Sequence, residues 1–335
     1  MANKIKRFMV VDTETATLPF VNEIAADDAN VKKKLAIAKP LIYDIGWTIT
    51  NRKGDILETK QFLIAETFSV PSIFDTAYYK EKRPIYIEML KRGETTIRTW
   101  GEVRDILIND MKKVDSVGAF NAMFDFKKAI PFTDLYINML YSDDYYSWEK
   151  LQRKSCERIA REPANKERNP DFDPEHFLFH GKKYDLFDLW GLAATHLLNN
   201  SSYKRECLEH GLMTNSGTFF KTSAESSYQY LCNKYDFVES HTALDDAKIE
   251  TFILSKIAQK HAITNGIKYF PFRDLGYTSD FAMRRKYPNI KECQTVYDAM
   301  AAYVDSLKEL TTYAQSVLNK METLAKYAGF TYNYK

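Results

Sequence analysis

The stretch FMVVDTET, residues 8–15, decides how this chain folds. Its first half, Phe8–Val11, is a run of bulky apolar residues that is typical of a buried central β-strand. The run ends at Asp12, and Glu14 follows two positions later, so both carboxylates point to the same side of an extended backbone. Because unpaired buried charge is energetically unfavourable, the pair of carboxylates predicts a binding site for a hard divalent cation. A charged transition from a strand to a surface loop is the alternative.

The composition is that of an ordinary globular protein. Hydrophobic residues make up 45% and charged residues 27% of the 335 positions, and the net charge of +2 neither demands nor excludes nucleic acid. Most of the aromatic residues, 14% of the chain, are expected in the core, with some as candidates for stacking on bases. The widely spaced cysteines, the missing signal segment and the lack of a membrane-spanning apolar stretch predict a cytoplasmic protein with reduced thiols and no membrane partner.

The pattern after the first strand predicts an α/β protein. Two alternating runs, residues 41–50 and 55–64, flank a glycine-containing turn and indicate a β-hairpin. A further short core strand is predicted at Val117–Phe120, and helical patterns follow. We expect one domain over residues 1–260, with insertions at about 19–40 and 141–183, and a helical C-terminal appendage over residues 261–335.

Three more candidate residues follow predicted strand ends or helix starts. Asp125 lies just beyond the strand at Val117–Phe120, where ligands gather in open α/β sheets, although a first-turn aspartate of a helix is the alternative. His241 precedes a predicted helix that carries Asp246, and this spacing lets both side chains reach one place. Asp245 is adjacent to Asp246, so the two cannot face the same point.

Taken together, these residues form the set D-x-E, N-x-x-x-D and H-x-A-x-x-D, in that order. The set resembles that of the DEDDh 3′–5′ exonucleases, a family of the RNase H-like superfamily that includes proofreading exonucleases of replicative polymerases and oligoribonuclease. The resemblance covers roughly residues 5–260. It implies a mixed five-stranded sheet flanked by helices, to which this chain adds helical insertions and C-terminal helices.

The resemblance also implies roles for the individual residues. Two Mg²⁺ or Mn²⁺ ions would be held by four carboxylates, and His241 would act as the general base that accepts the proton of the attacking water. Thr242 stands where the sister subgroup has tyrosine, which favours the histidine subgroup. The carboxylates expected to hold the metal ions are Asp12, Glu14, Asp125 and Asp246.

The expected partner is the 3′ end of a single-stranded nucleic acid, with DNA favoured over RNA. A polymerase or another replication or repair protein is a further candidate partner. Other interpretations are an RNA-directed exoribonuclease, a non-catalytic binding module on the same fold, and an endonuclease of the same superfamily.

Several smaller features allow two interpretations each. Lysines 32–34 and a basic helix at about 147–162 are either phosphate contacts or solvated helix faces. Arg284–Lys286, beside two aromatic residues, form a similar cluster. His176 and His180, with Cys156 upstream, make a zinc site conceivable, although a second close pair of ligands is lacking.

Overall fold

The first strand lies in the middle of a seven-stranded sheet. The computed structural model describes residues 6–26, 28–161, 173, 175–198, 200–214, 219–260 and 263. The sheet has the order β4-β3-β2-β1-β5-β7-β6, and β2 and β6 run antiparallel to the other strands. The strands are β1 (Arg7–Ala16), β2 (Leu41–Asn51), β3 (Ile56–Ile64), β4 (Thr96–Arg98), β5 (Ser116–Ala119), β6 (His176–Phe179) and β7 (Lys182–Asp188).

Within the unit that contains the sheet, helices connect the strands and flank the sheet. The described residues divide into two compact units, residues 6–189 with 239–263 and residues 190–238. A 3₁₀ turn spans Lys80–Lys82 and a π-helical segment spans Asp125–Ala129. The helices are α1 (Val21–Ala25), α2 (Ala29–Ala38), α3 (Ala65–Phe68), α4 (Pro71–Phe74), α5 (Arg83–Arg92), α6 (Trp100–Met111), α7 (Ala122–Phe124), α8 (Ile130–Leu140), α9 (Tyr145–Arg161), α10 (Leu189–Leu198), α11 (Ser201–Glu209), α12 (Ala224–Cys232) and α13 (Ala243–Lys260).

The two central strands are covered on both faces. Residues Phe8–Val11 of β1 are fully buried, and β2 is buried along its length except at its last residue. Full burial of both faces is typical of a sheet that lies between helices. The buried polar side chains of β2 bond to α13: the Asp44 carboxylate accepts the Ala243 N–H at 2.9 Å, and the Thr48 and Thr251 hydroxyls share a hydrogen bond.

Gly46 sets how closely α13 approaches the sheet. It pairs with Asp12 across β1 and β2, and it lies directly beneath the start of the helix. A Cβ atom at this position would lie 2.3 Å from the Leu244 backbone nitrogen. Only a residue without a side chain therefore lets the first turn of α13 reach the end of β1.

The sheet has more strands than the sequence predicts. The four strands predicted from the sequence are present as β1, β2, β3 and β5, but the sheet has seven strands instead of the five that the resemblance implies. Strand β4 has three residues, all exposed, so no apolar alternation marks it. Strand β6 lies inside the stretch interpreted as the insertion 141–183, and it pairs with β7 so that β7 lies between β5 and β6.

Predictions of turns and helix caps rest on residues that are neighbours in the sequence. The hairpin of β2 and β3 is confirmed, with Gly54 at φ +89° in its turn. The spacing of Thr99 and Glu102 predicts a capping box, and the structure confirms it at the start of α6. The same spacing of Thr222 and Glu225 predicts a second capping box, and this prediction is wrong because Ser223 is the N-cap residue of α12. Ser223 takes the extended cap conformation instead, and its hydroxyl accepts the Ser226 N–H of α12.

The second unit, Trp190–Val238, has its own small core. The Tyr203 hydroxyl donates to the Lys221 carbonyl at 2.6 Å, and the Tyr203 ring packs edge-on against Tyr230. Among the described residues the cysteines are free thiols. No helix in the described part of the chain combines the length and apolarity needed to cross a membrane. The predicted appendage, residues 261–335, lies outside the described residues apart from Ile263.

We predict that Gly46→Ala lowers the free energy of unfolding by roughly 1–3 kcal/mol, because the new methyl group overlaps the backbone of α13. Urea unfolding followed by circular dichroism measures this. Gly101→Ala is the matched control, since nothing lies within 4 Å of its added Cβ, and we expect its stability to stay the same or rise slightly. Equal stabilities for the two variants would contradict the packing described for Gly46.

Candidate functional site

The site begins at the end of β1, where Asp12 and Glu14 face α13. Their cross-strand partners on β2 are Gly46 and Asp44. Regular pairing shifts between Glu14 and Thr15, so the strand is irregular immediately after the second carboxylate. Such irregularities are common next to functional sites because they redirect side chains. Both Asp12 and Glu14 are half-buried.

Asp125 reaches the same region from the chain that follows β5. Asn121 has a left-handed backbone, φ +83°, and turns the chain into α7. Asp125 then opens the π-helical segment, is 3% exposed, and accepts a 2.6 Å hydrogen bond from the Thr13 hydroxyl of β1. Short π-helical segments occur frequently at functional sites.

His241 and Asp246 belong to the start of α13. Asp246 lies in its first turn, and His241 lies in the preceding loop with a left-handed backbone, φ +52°. The distance from His241 Nδ1 to Asp246 Oδ2 is 3.8 Å. One ligand atom each from Glu14, His241 and Asp246 lie within 4.8 Å of one another.

The loop that carries His241 is held by the segment around the 3₁₀ turn. The Tyr79 ring stacks on the His241 imidazole, with ring centroids 4.3 Å apart and planes 12° from parallel. Lys82 Nζ donates to the Ser240 carbonyl, and the Tyr86 hydroxyl donates to the His241 carbonyl at 3.4 Å. These contacts hold the His241 imidazole and its loop in place.

Two further carboxylates, which sequence analysis missed, lie in or beside the site. Glu250 is 3% exposed and its Oε2 accepts the Phe120 N–H at 3.3 Å. It lies four residues after Asp246, so helical spacing could have revealed it. Asp44 is fully buried and is bonded to Ala243 N–H and to the Gln61 amide, which makes it an anchor for α13. No sequence signal marks Tyr79 or Lys82.

Burial and mutual repulsion raise the pKa values of the first two carboxylates. Burial raises the pKa of Asp12 well above its usual range, and the charges of Glu250, Asp246, Asp125 and Glu14 raise it further. Burial likewise raises the pKa of Glu14, as do Asp246 and Asp44, whereas Lys82 lowers it. These couplings bring all four predicted carboxylates, together with Glu250, into one electrostatic cluster.

The pKa values of the remaining carboxylates are also raised. Burial raises the pKa of Asp125 to about 7, against the lowering effect of the Thr13 hydrogen bond. Burial and then Asp245 raise the pKa of Asp246 to about 7, and burial raises the pKa of Asp44 to about 6. Asp245 itself is turned away, and it accepts hydrogen bonds from Thr242 and Lys248.

The residues fit a hard divalent cation. The cluster offers carboxylate oxygens, which Mg²⁺ and Mn²⁺ prefer. Asp246 Oδ1 is buried and has no hydrogen-bond partner among the described residues, so it carries an unused acceptor. A buried acceptor without a donor is costly, and a cation would satisfy it. The arrangement can therefore hold positive charge between β1, the π-helical segment and α13.

The other metal hypothesis is wrong for the described residues. His176 bonds to Asp173 at 2.9 Å and lies 3.7 Å from Asp185, while His180 bonds to Asp134 at 3.0 Å. Cys156 is buried in α9. Within the described ranges, no group of metal-ligating side chains includes any of these three residues. The basic cluster Arg284–Lys286 lies outside the described residues.

Comparison with known proteins gives no relative to guide the assignment. A scan of family models and searches of curated proteins and solved structures find no match to this chain.

The raised pKa values predict that the metal-free protein loses stability as pH rises. In the folded chain Asp125 and Asp246 release protons near pH 7, and Asp44 near pH 6, whereas unfolded aspartate does so near 3.9. Between about pH 4 and 7 the folded state binds more protons, so stability present below pH 4 is lost through this window. We expect the melting temperature in EDTA to fall from pH 5 to pH 7.5.

The control for this prediction is a variant that removes one repelling charge. Asp246→Asn should raise the metal-free melting temperature at pH 7.5 and flatten its pH dependence, while Glu88→Gln, an exposed carboxylate paired with Lys91 outside the cluster, should leave both unchanged. Added Mn²⁺ should stabilise the wild type at pH 7.5 by mass action. A melting temperature that is constant or rises from pH 5 to 7.5 in EDTA would contradict the electrostatic description.

Proposed function

We propose that this chain is a metal-dependent 3′–5′ exonuclease of the DEDDh type. It hydrolyses single-stranded nucleic acid, with DNA favoured, and releases nucleoside 5′-monophosphates. The observation that carries the proposal is that four carboxylates and one histidine, from three separate sequence motifs, come together in one cluster. The central strands β3, β2, β1, β5 and β7 form a mixed sheet of the kind the RNase H-like resemblance implies, which supports the same assignment.

The pocket suits an in-line displacement at phosphorus. Two divalent cations, when bound, would stabilise negative charge on the attacking and leaving oxygens. Water attacks the terminal phosphodiester, and the bond to the 3′ oxygen of the preceding nucleotide breaks. That oxygen takes a proton from solvent water and leaves as the new 3′ hydroxyl. The four carboxylates of the motifs would bind and orient the two cations, because their negative charges offset the repulsion between the cations.

His241 is the proposed general base. Histidine titrates near neutral pH, so a neutral imidazole can accept the proton of the attacking water. The resulting imidazolium lies close to negative charge, because the Asp246 and Glu239 carboxylates approach Nδ1 at 3.8 and 4.0 Å. Stacking on Tyr79 fixes the ring plane before substrate binds. Proximity and orientation of this kind are a large part of catalysis.

A stacking residue and a basic helix support a single-stranded substrate. Tyr78 is 78% exposed and packs edge-on against Tyr79, whose other neighbour is His241. Exposed aromatic rings beside a nuclease site are suited to stacking on unpaired bases. Helix α9 contacts α1 and α2, which follow β1 directly, and it presents exposed basic residues. These are Lys150, Arg153, Lys154, Arg158 and Arg161.

We predict metal-dependent shortening of linear oligonucleotides from the 3′ end. Purified protein is incubated with 3′- or 5′-labelled single strands of DNA and of RNA, with Mg²⁺, Mn²⁺ or EDTA. Asp12→Asn should lower the rate by about 100-fold or more, since even outer partners of a bound metal contribute 10- to 100-fold. Glu88→Gln, an exposed carboxylate paired with Lys91 on α5, should keep the wild-type rate.

The substrates also separate the competing functions. A circular single strand must stay intact, and its cleavage would show an endonuclease instead. Binding without shortening of either DNA or RNA would favour a non-catalytic module and reject the proposal. Equal rates for wild type and Asp12→Asn would show that the activity comes from elsewhere than this pocket.

We predict that Tyr78 stacks on a base near the 3′ end. Tyr78→Ala should weaken binding of a single-stranded oligonucleotide by roughly 5- to 150-fold, because stacking of one base contributes about 1–3 kcal/mol. Tyr78→Phe keeps the ring face and should bind as the wild type does. Fluorescence anisotropy in the Asp12→Asn background measures binding without turnover. Equal affinities of the alanine and phenylalanine variants would contradict the stacking role.

A further inference from the structure

A cavity of about 530 Å³ lies at the edge of the sheet opposite to the carboxylate cluster. Its lining comes from the end of α6 and from the amino ends of β5 and β7. Strand β5 runs parallel to both β1 and β7, so these amino ends and the carboxyl end of β1 lie at opposite edges of the sheet. The volume is in the range of sites for small molecules. The cavity is therefore separate from the candidate nuclease site.

The side chains around the cavity come from a strand and a helix. Lys182 and Tyr184 line it from β7, and because they are two residues apart they share one face of the sheet. Lys112, the residue that caps the C-terminus of α6, lines it from the helix. Met111 and Val117 add apolar surface. The cavity thus offers two cationic groups, one phenol and an apolar wall.

Two of the lysines that line the cavity have no acidic partner. Lys112 Nζ donates to the Asn109 side-chain oxygen at 2.9 Å, and within the described ranges neither Lys112 nor Lys182 forms an ion pair with a carboxylate. A third lysine, Lys183, lies 3.8 Å from Asp173. The hydrogen-bonding approach of Lys112 lowers the pKa of Lys182. An anion in the cavity would offset the repulsion between the two ammonium groups.

The acidic side chains that line the cavity have other partners. Asp115 Oδ2 accepts the backbone N–H groups of Lys6 and Arg7 at 2.7 and 2.9 Å. Asp185 Oδ1 lies 3.7 Å from His176 Nε2. These contacts direct both carboxylates toward groups other than Lys112 and Lys182, which leaves the positive charge of the two lysines available to a ligand.

The Tyr184 hydroxyl is an independent indication of a ligand. Tyr184 is 8% exposed, and its hydroxyl oxygen is buried with no hydrogen-bond partner in the described part of the chain. A buried hydroxyl without a partner is energetically unfavourable, and buried polar groups are normally hydrogen-bonded. A ligand oxygen in the cavity would accept the hydrogen bond that this phenol can donate.

We infer that the cavity binds a phosphate group, as inorganic phosphate or as a small phosphate monoester. Lys112 and Lys182 compensate its charge, and the Tyr184 hydroxyl donates to one of its oxygens. A phosphate monoester carries close to two negative charges at neutral pH, which matches two ammonium groups. The organic part of a monoester would occupy the remaining volume against Met111 and Val117. This site does not depend on the proposed nuclease function.

The test is isothermal titration calorimetry of the full chain with inorganic phosphate and with dAMP, both in EDTA. EDTA keeps divalent cations off the carboxylate cluster, whose negative charge then repels phosphate. We expect both probes to bind the wild type. Lys182→Gln and Tyr184→Phe should each weaken binding by about tenfold or more, as expected for loss of a hydrogen bond to a charged group. Lys91→Gln, the matched control at an exposed lysine paired with Glu88, should bind as the wild type does.

Both variants should fold, because Lys182 is exposed and Tyr184→Phe removes only an unpaired hydroxyl. Their melting temperatures without ligand check this, and Lys112→Gln replaces a variant that does not fold. Tighter binding of dAMP than of phosphate would assign the remaining volume to the organic part, and equal affinities would assign the phosphate group alone. Either result supports the inference. Failure of both probes to bind, or binding that either substitution leaves unchanged, would overturn it.

Discussion

The repulsion among carboxylates collected where α13 meets the sheet is the constraint on which the rest of this structure depends. Five acidic side chains from β1, the π-helical segment and α13 form a cluster in which burial raises the pKa of each. A fold gains nothing from such an arrangement by itself, because buried like charges weaken it. The surrounding elements must hold the charges in place, and a bound cation is the natural compensation.

A small number of specific contacts holds α13 and the loop of His241 in place. Gly46 removes the side chain that would keep α13 away from β1, and the buried Asp44 carboxylate binds the first N–H of that helix. Around this junction the apolar run Phe8–Val11 is fully buried, and its burial offsets the unfavourable electrostatics. Tyr79 and Lys82 fix the loop of His241 from the side. The site is thus preorganised in the metal-free chain at the expense of stability, a trade that is common at functional sites.

The sequence predicts the parts of this arrangement that follow from local geometry. Asp12 and Glu14 face one way because strand side chains alternate, and the hairpin and the first capping box carry local signals. Strands β4 and β6 are not predicted because both lack the apolar pattern of a buried strand. Strand β4 has three exposed residues, and β6 is a short strand in a polar segment. Glu250 carries a helical-spacing signal, but its hydrogen bond to Phe120 spans 130 residues and is visible only in three dimensions. Tyr79 and Lys82 reach His241 by tertiary packing, for which no motif exists.

We propose that these scattered carboxylates bind a pair of divalent cations. Anomalous diffraction from crystals grown with Mn²⁺ tests it most directly, because it locates the ions without reference to activity. We expect two anomalous peaks within coordination distance of the carboxylates, both near Asp12 and one of them beside Glu14 and Asp246. A well-occupied Mn²⁺ elsewhere on the surface, with no peak among these carboxylates at saturating metal, would contradict it.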